Sequence, residues 1–440
     1  MLLTIPLKVI IAHFFFSYIS CCSLWGDVLT TPDIPAIAKY FTTKGRYEEV
    51  NPYLIDDILA VNKSLVKSPF AECREIHLTA IIRHGSRYPT TKNIKKMREF
   101  HNLVVQKASG EESWLREIRQ WKMWYTDEMD GRLVQKGVLD HRNLAVRLSK
   151  LFPSLISKEK LQDGHIKFMT SSKHRCVNST LSFQRGLAKL WDIEDEEIDY
   201  EVNDALMRFF DHCTRFVETV DKNQSAMAEL DKFKSSAEMR RVQEKIADRL
   251  LLAIKTINSP WCQLFDEADA LVLEYANDLK QFWKRGYGHD INSKSSCILF
   301  HDVFSRLDRA ANEIRSGSNV TEAATIQVGH ADTLLPLLTL LGFFKDSVPL
   351  TSNNYVTQGQ RAFRTSRMMP YAANLVLVLY DCSGNLRLQA LLNERPLAFP
   401  GLAATQGEEG APLYQDVRDH YGELLQGCDF EKECQLFPSK

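Results

Sequence analysis

The chemistry in this chain concentrates in TAIIRHGSRYPT, residues 79–90, where an apolar run ends at Arg83-His84-Gly85 and Arg87 follows two residues later. Two guanidiniums beside an imidazole make protonating that imidazole costly, so His84 is expected to be neutral even at mildly acidic pH. A neutral ring can attack phosphorus and form a phosphohistidine, which splits one displacement into two easier steps. The bland alternative is a histidine satisfied inside the core. Two unpaired arginines beside it would be expensive there, which favours an anion site. Gly85 is expected to let the backbone turn sharply toward the ligand.

The second half of such a reaction needs an acid, because an alkoxide leaves poorly. VGHADTLLPLL (328–338) places His330 and Asp332 between a strand and an apolar helix. Asp332 is the expected proton donor, and the same group can later assist the attacking water. His330 is expected to clamp phosphate as a cation or a hydrogen-bonding group. A helix N-cap made by Asp332 or Thr333 is the structural alternative and is compatible with that role. Arg175, in SSKHRCV, follows another strand and is expected as a third arginine on the phosphate. GHD (288–290) and FHD (300–302) compete with residues 330–332, but His301 opens an amphipathic helix and 288–290 resembles a loop.

The charge map points the same way. Lys+Arg 55 against Asp+Glu 56 leaves the whole molecule nearly neutral, so any positive field is local. Arg83 to Arg98 contains basic residues and no acid. The same holds for 164–191 and for 347–380, where Arg361, Arg364 and Arg367 stand. If the strands beside these stretches are neighbours, their ends form one basic basin. Lys92, Lys95, Lys96, Arg361, Arg364 and Arg367 are then candidates for reading further phosphates, since arginine forks match phosphate oxygens and lysines add point charge.

Strands are expected at 76–82, 166–172, 324–329, 374–382 and 386–394. Several are continuous apolar runs, which suits a sheet covered on both faces. Helical periodicity covers 95–126 and 226–256, and 176–300 holds little strand signal. The expected fold is α/β, a sandwich with a mostly parallel central sheet and an inserted, mostly α-helical cap. The core would comprise 25–92, 129–178 and 296–440, and the cap 93–128 and 179–295. The acidic run 192–201 lacks the spacing of a calcium loop and is expected to be solvated surface.

Residues 1–24 have the layout of a secretory signal peptide, with an uncleaved anchor as the alternative. Eight of the ten cysteines lie beyond it. CDFEKEC suggests a local Cys428–Cys434 bridge, and the strand ends at Cys73 and Cys382 suggest another. Sequons stand at Asn62, Asn178, Asn223 and Asn319, with Asn178 expected to be unmodified so close to the site. The chain ends in LFPSK rather than a Lys-Asp-Glu-Leu-like signal, which favours secretion or a lysosome-like compartment over retention in the ER lumen.

Arg83-His84-Gly85-x-Arg87-x-Pro89 matches the RHGxRxP signature of the histidine acid phosphatases, and from about residue 40 onward the chain resembles that family. SSKHRCV, LMRFFDHC (206–213), GHADTLLPLLTLLGFFKD and MPYAAN (369–374) look closest to its branch acting on inositol polyphosphates. The resemblance implies an α/β core with a helical cap and metal-free hydrolysis through phosphohistidine. It implies phytate, lower inositol phosphates and 2,3-bisphosphoglycerate as substrates. It places the nucleophile on His84 and the phosphate clamps on Arg83, Arg87, Arg175 and His330. That branch has His-Ala-Glu where this chain has His330-Ala331-Asp332, so the acid reaches about one C–C bond (~1.5 Å) less far. Other branches use an aspartate directly after the histidine.

Three rivals remain. The shortened acid could leave a polyanion-binding protein without turnover. A metallohydrolase lacks HExxH or paired Cys/His spacing, so no metal or other cofactor is expected. Nucleic acid is disfavoured because aromatic-plus-basic interleaving is missing. The expected partner is a small polyphosphate, with no membrane span after cleavage; oligomeric state is not legible.

Overall fold

The computed structural model describes residues 35–436, apart from 65, 67–71, 109, 112, 252–264 and 403–410. The expected signal peptide and Cys262 therefore lie outside the described residues.

The apolar runs form the expected strands. β1 (Cys73–Arg83), β2 (Ile166–Thr170), β3 (Glu201–Val202), β4 (Ala324–Gly329), β5 (Asn374–Cys382), β6 (Asn385–Leu392) and β7 (Arg395–Leu397) make one sheet, ordered β3-β2-β4-β1-β5-β6-β7. Only one side is parallel: β1, β2, β3 and β4 run together, whereas β5, β6 and β7 pair antiparallel. The α/β class stands, but "mostly parallel" is corrected to mixed. The reason is local. Ser383-Gly384 and Asn393-Glu394 all take positive φ, which makes two tight two-residue hairpins and reverses the chain twice.

The principal helices are α1 (Thr91–Lys107), α2 (Gln135–Leu151), α3 (His174–Leu190), α4 (Glu267–Arg285), α5 (Cys297–Arg315) and α6 (Ala331–Leu340). Leu78, Ala80 and Ile82 of β1 pack with Leu144 and Leu148 of α2 and with Phe183 and Leu187 of α3. Ile81 points the other way, into a cluster with Phe300 and Phe304 of α5 and Leu334 and Leu338 of α6. Burying each such side chain contributes about 1.5–3 kcal/mol. Coverage on both faces explains why these strands read as unbroken apolar runs.

Two long helical expectations are interrupted. Residues 95–126 break around Gly110, at φ 130°, before a second helix at Ser113–Gln120. Residues 226–256 break at Ser235-Ser236, where Ser236 Oγ accepts from Met239 N and starts Ala237–Leu251. The segment 288–290, expected as a loop, leads directly into the short helix Asp290–Lys294. Among the described residues, no helix is long and apolar enough to cross a membrane.

Cys73 and Cys382 are register partners on β1 and β5 and form the expected disulfide. The expected Cys428–Cys434 bridge is overturned. Phe430–Glu433 is a helical turn, and the two thiols pair outward instead, Cys428 with Cys297 and Cys434 with Cys213. The first bond ties the C-terminal segment to α5, and the second ties it to the junction of two short helices at Cys213. The sequons at Asn62, Asn178, Asn223 and Asn319 are all exposed.

Candidate active site

Register brings the site together. Ile82 of β1 and Thr170 of β2 both pair with Val328 of β4, so the C-terminal ends of three parallel strands are level. Asn374, the start of antiparallel β5, pairs with Ile82 at the same edge. Gathered at these ends are Arg83-His84 at the end of β1, Arg175 in the first turn of α3, His330 and Asp332 at the start of α6, and the 369–374 segment that leads into β5. Backbone bonds fasten them: His84 N donates to Gly329 O (2.9 Å), Arg83 N to Ala373 O (2.8 Å) and Ala372 N to His84 O (3.2 Å).

Gly85 is needed for a different reason from the one expected. Its φ is not positive. A Cβ there would come within 2.5 Å of Gly137 O, so the loop lies flat against the start of α2. Gly85 N also donates to Ser179 Oγ of α3 (3.1 Å).

His84 is buried, and its Nδ1 lies 2.9 Å from Gly85 O. A carbonyl can only accept, so Nδ1 carries the proton and the Nε2 lone pair is left for an electrophile. Burial first, then Arg83, Arg175, His330 and Arg87, push the imidazolium well below its ordinary range. The ring is neutral, as a nucleophile requires.

Three arginines share this space. Arg83 Nη1 donates to Met369 O (2.7 Å) while its guanidinium lies 4.4 Å over the Tyr371 ring. Arg87 Nη1 donates to Tyr88 O (2.8 Å), and Arg175 Nη2 lies 3.3 Å from His330 Nδ1. The Nε of each is buried without a hydrogen-bond partner. Among the described residues, no carboxylate forms an ion pair with any of the three. Burial, together with Arg87 and Arg175, lowers Arg83 to about 10, and Arg175 is lowered as well.

His330 is not a cation in this arrangement. Its Nδ1 accepts from Arg175, so Nε2 carries the proton and faces Ser171 Oγ at 2.9 Å. Burial and Arg175 lower it to about 3. Thr333, not Asp332, caps α6 by accepting from His330 N (2.9 Å). Asp332 is half-buried and paired with Arg285, the last residue of α4. Burial would raise its carboxyl, but Arg285, His330 and Lys284 together hold it far below the ordinary carboxylate range.

The remaining basic candidates separate. Arg361 and Arg364 are buried and bound to Glu274 and Asp278 of α4, so the expectation that they read substrate phosphates is corrected. Acids distant in sequence neutralise that acid-free stretch. Arg367 is exposed beside them. Lys92 and Lys95 are exposed, and Lys96 half-buried, on the first two turns of α1. His301 faces Cys428 O (2.7 Å), away from the site.

Sequence reasoning missed Lys44, Tyr371, Lys280 and Arg285. Lys44 lies 5.7 Å from the Tyr371 ring and is lowered by burial, Arg87 and Arg83. Lys280 is lowered to about 7 by burial, then by Arg285, Lys284 and Lys44. Both lie outside the acid-free stretches and have no motif around them. Only Tyr371, within MPYAAN, had a signal in the chain.

A fold whose level strand ends gather a neutral histidine and unpaired arginines defines a phosphate-transfer site of the histidine phosphatase type. The profile of the histidine phosphatase superfamily (branch 2) matches residues 76–393, and the chain belongs to that family as a histidine acid phosphatase. It is 44% identical to multiple inositol polyphosphate phosphatase 1 of Gallus gallus over 91% of this chain and 93% of that protein. The Homo sapiens protein of the same name is 41% identical, covering 92% and 90%. Two solved structures share the fold at 15% and 14% identity. A Bifidobacterium longum multiple inositol polyphosphate phosphatase with inositol hexasulfate has a TM-score of 0.67 and covers 88% of this chain and 97% of its own. A D. castellii phytase has a TM-score of 0.67 and covers 84% and 83%.

Proposed function

We propose that this phosphatase hydrolyses inositol polyphosphates, namely phytate and lower inositol phosphates, and also 2,3-bisphosphoglycerate, within the secretory pathway. The observation that carries this is the set of three guanidiniums, each with a buried Nε that has no hydrogen-bond partner, around a histidine whose Nε2 is unprotonated. The scissile phosphate would sit between Arg83, Arg87 and Arg175. His84 Nε2 attacks phosphorus, the P–O ester bond breaks, and Asp332 protonates the leaving alkoxide. Water then displaces the phosphoryl group from the ring and returns a proton to Asp332. Oriented donors that meet developing charge contribute about 10²–10³-fold each. A helical cap over this core is part of the same proposal. The relatives with 44% and 41% identity carry an inositol polyphosphate name, which supports the substrate class.

The test is phosphate release from phytate with excess chelator present, together with a search for acid-labile labelled phosphate on the protein. His84→Ala is expected to abolish turnover and label while still binding phytate. Turnover near that of the wild type in this variant would exclude the mechanism. One observation favours a second reading, polyanion binding without turnover: Asp332 is short and ion-paired. Absence of phosphate release from the wild type, with tight phytate binding, would select it.

A further inference from the structure

Asp332 is the expected proton donor, yet it sits as a carboxylate against a guanidinium that contacts it through both Nε and Nη2. That pairing opposes the role, because a donor must first hold a proton. The backbone that carries the guanidinium is fixed. Arg285 ends α4, and a Cβ on the next residue, Gly286, would come within 2.7 Å of the Phe363 ring. The side chain keeps a second, neutral partner, Gln281 Oε1 at 3.2 Å from Nη1. Arg285 can therefore leave Asp332 by side-chain motion alone.

Among the described residues, the groups that act most strongly on Asp332 are positive or neutral. Lys280 and Lys284 come from α4, Lys44 from the N-terminal segment, Arg83 from β1, Arg175 from α3, and His330 from its own loop. At the end of α4, Arg285 is held by Asp332 while Lys284 beside it is paired with Asp221. A phosphate dianion carries twice the charge of a carboxylate and matches a guanidinium fork better. We propose, resting on the phosphatase function above, that Arg285 is a latch on Asp332, opened when a phosphate other than the scissile one draws the guanidinium away. Arg285 is then a positioning and specificity-determining residue, and the site favours polyphosphorylated esters over monophosphates.

The chemistry balances without a further reactant. Once released, Asp332 has lost its direct cationic partner, and bound phosphates offset the cations that remain around it; it takes a proton from solvent and gives it to the leaving oxygen. A monophosphate is held by Arg83, Arg87 and Arg175 and has no second group to open the latch. Asp332 then stays ionised, and its protonated fraction falls tenfold with each pH unit.

The test compares kcat and KM for phytate and for glycerol phosphate, an alkyl monoester with an equally poor leaving group, in wild type, Arg285→Ala and Arg285→Lys. In Arg285→Ala, kcat for the monoester is expected to rise about tenfold or more and its alkaline limb to move up by about one pH unit or more. For phytate, KM is expected to rise with kcat little changed. Arg285→Lys is expected to restore most of the preference. Equal proportional loss on both esters with unmoved pH profiles would overturn the latch. A second arm works without turnover: carbon-13 titration of the Asp332 carboxyl in His84→Ala, free and with inositol hexasulfate. An upward shift on binding supports the latch, and an unmoved titration sinks it. Absence of phosphate release from the wild type on any ester refutes the phosphatase proposal alone, and this titration then decides the latch.

Discussion

Two sets of arginines, one buried and one buried or half-buried, sit within this fold and behave oppositely. Arg361 and Arg364 meet Glu274 and Asp278, with Arg361 only 3% and both acids 0% exposed in their side chains. Thr365 N and Oγ1 complete Asp278, and Ser366 Oγ reaches Glu274. Arg361 is accordingly raised above its ordinary value, chiefly by Asp278 and Glu274 acting against burial. Arg83, Arg87 and Arg175 have no acid, and Arg83 is lowered to about 10. The first set is satisfied by the protein and holds α4 to the 361–366 segment. The second is satisfied only when an anion arrives. Burial of a charge marks a site here only where the partner is missing.

That contrast can be broken from either side. The largest effect is expected on catalysis: Arg87→Ala or Arg175→Ala should lower kcat/KM on phytate by about 10²–10³-fold. Neither should reduce Tm, because each removes like-charge repulsion rather than a pair. A Tm loss as large as that of Arg361→Ala would end the distinction. Arg361→Ala should destabilise by about 3–5 kcal/mol in thermal or denaturant unfolding, since it leaves a buried carboxylate unpaired. Inorganic phosphate or inositol hexasulfate at 100 times its Kd should add about 2.7 kcal/mol of stability to the wild type. Arg87→Ala should lose most of that gain at the same concentration.

The pH response sharpens the same point. His84, His141 and His330 are held neutral, His141 near 4 and His330 near 3, against an unfolded value of 6.5. Below 6.5 the unfolded chain binds more protons than the folded one, so stability should fall as pH drops from there. Saturating phosphate should blunt that loss by supplying the missing negative charge. Tm that is flat from pH 7 to 4 without ligand would count against the neutral histidines. The smallest effect is expected from Arg367→Ala, within about 0.5 kcal/mol and without loss of activity, because the residue is exposed.

Much of this was legible in the chain because it depends on local order. Apolar runs bounded by turns located five strands, and RHGSRYP with GHAD put the reactive residues at strand ends. The Cys73–Cys382 bridge was legible for the same reason. What failed depended on residues far apart in sequence. Arg361 and Arg364 resembled phosphate ligands until α4, some 80 residues earlier, supplied their acids. The Cys428–Cys434 proposal used spacing alone, while the true partners, Cys297 on α5 and Cys213 between two short helices, lie far away in sequence.

The sequence by itself determined which groups could do chemistry, because an imidazole between guanidiniums has the same electronic character wherever it is placed. It determined the strands too, since side-chain alternation and hydrophobicity are local properties. Tertiary structure alone decided which charges meet. Strand register levels the ends of β1, β2 and β4, and the packing of α4 delivers Glu274 and Asp278 to one pair of arginines and Arg285 to Asp332. Electrostatic energy falls off with distance in space, not along the chain.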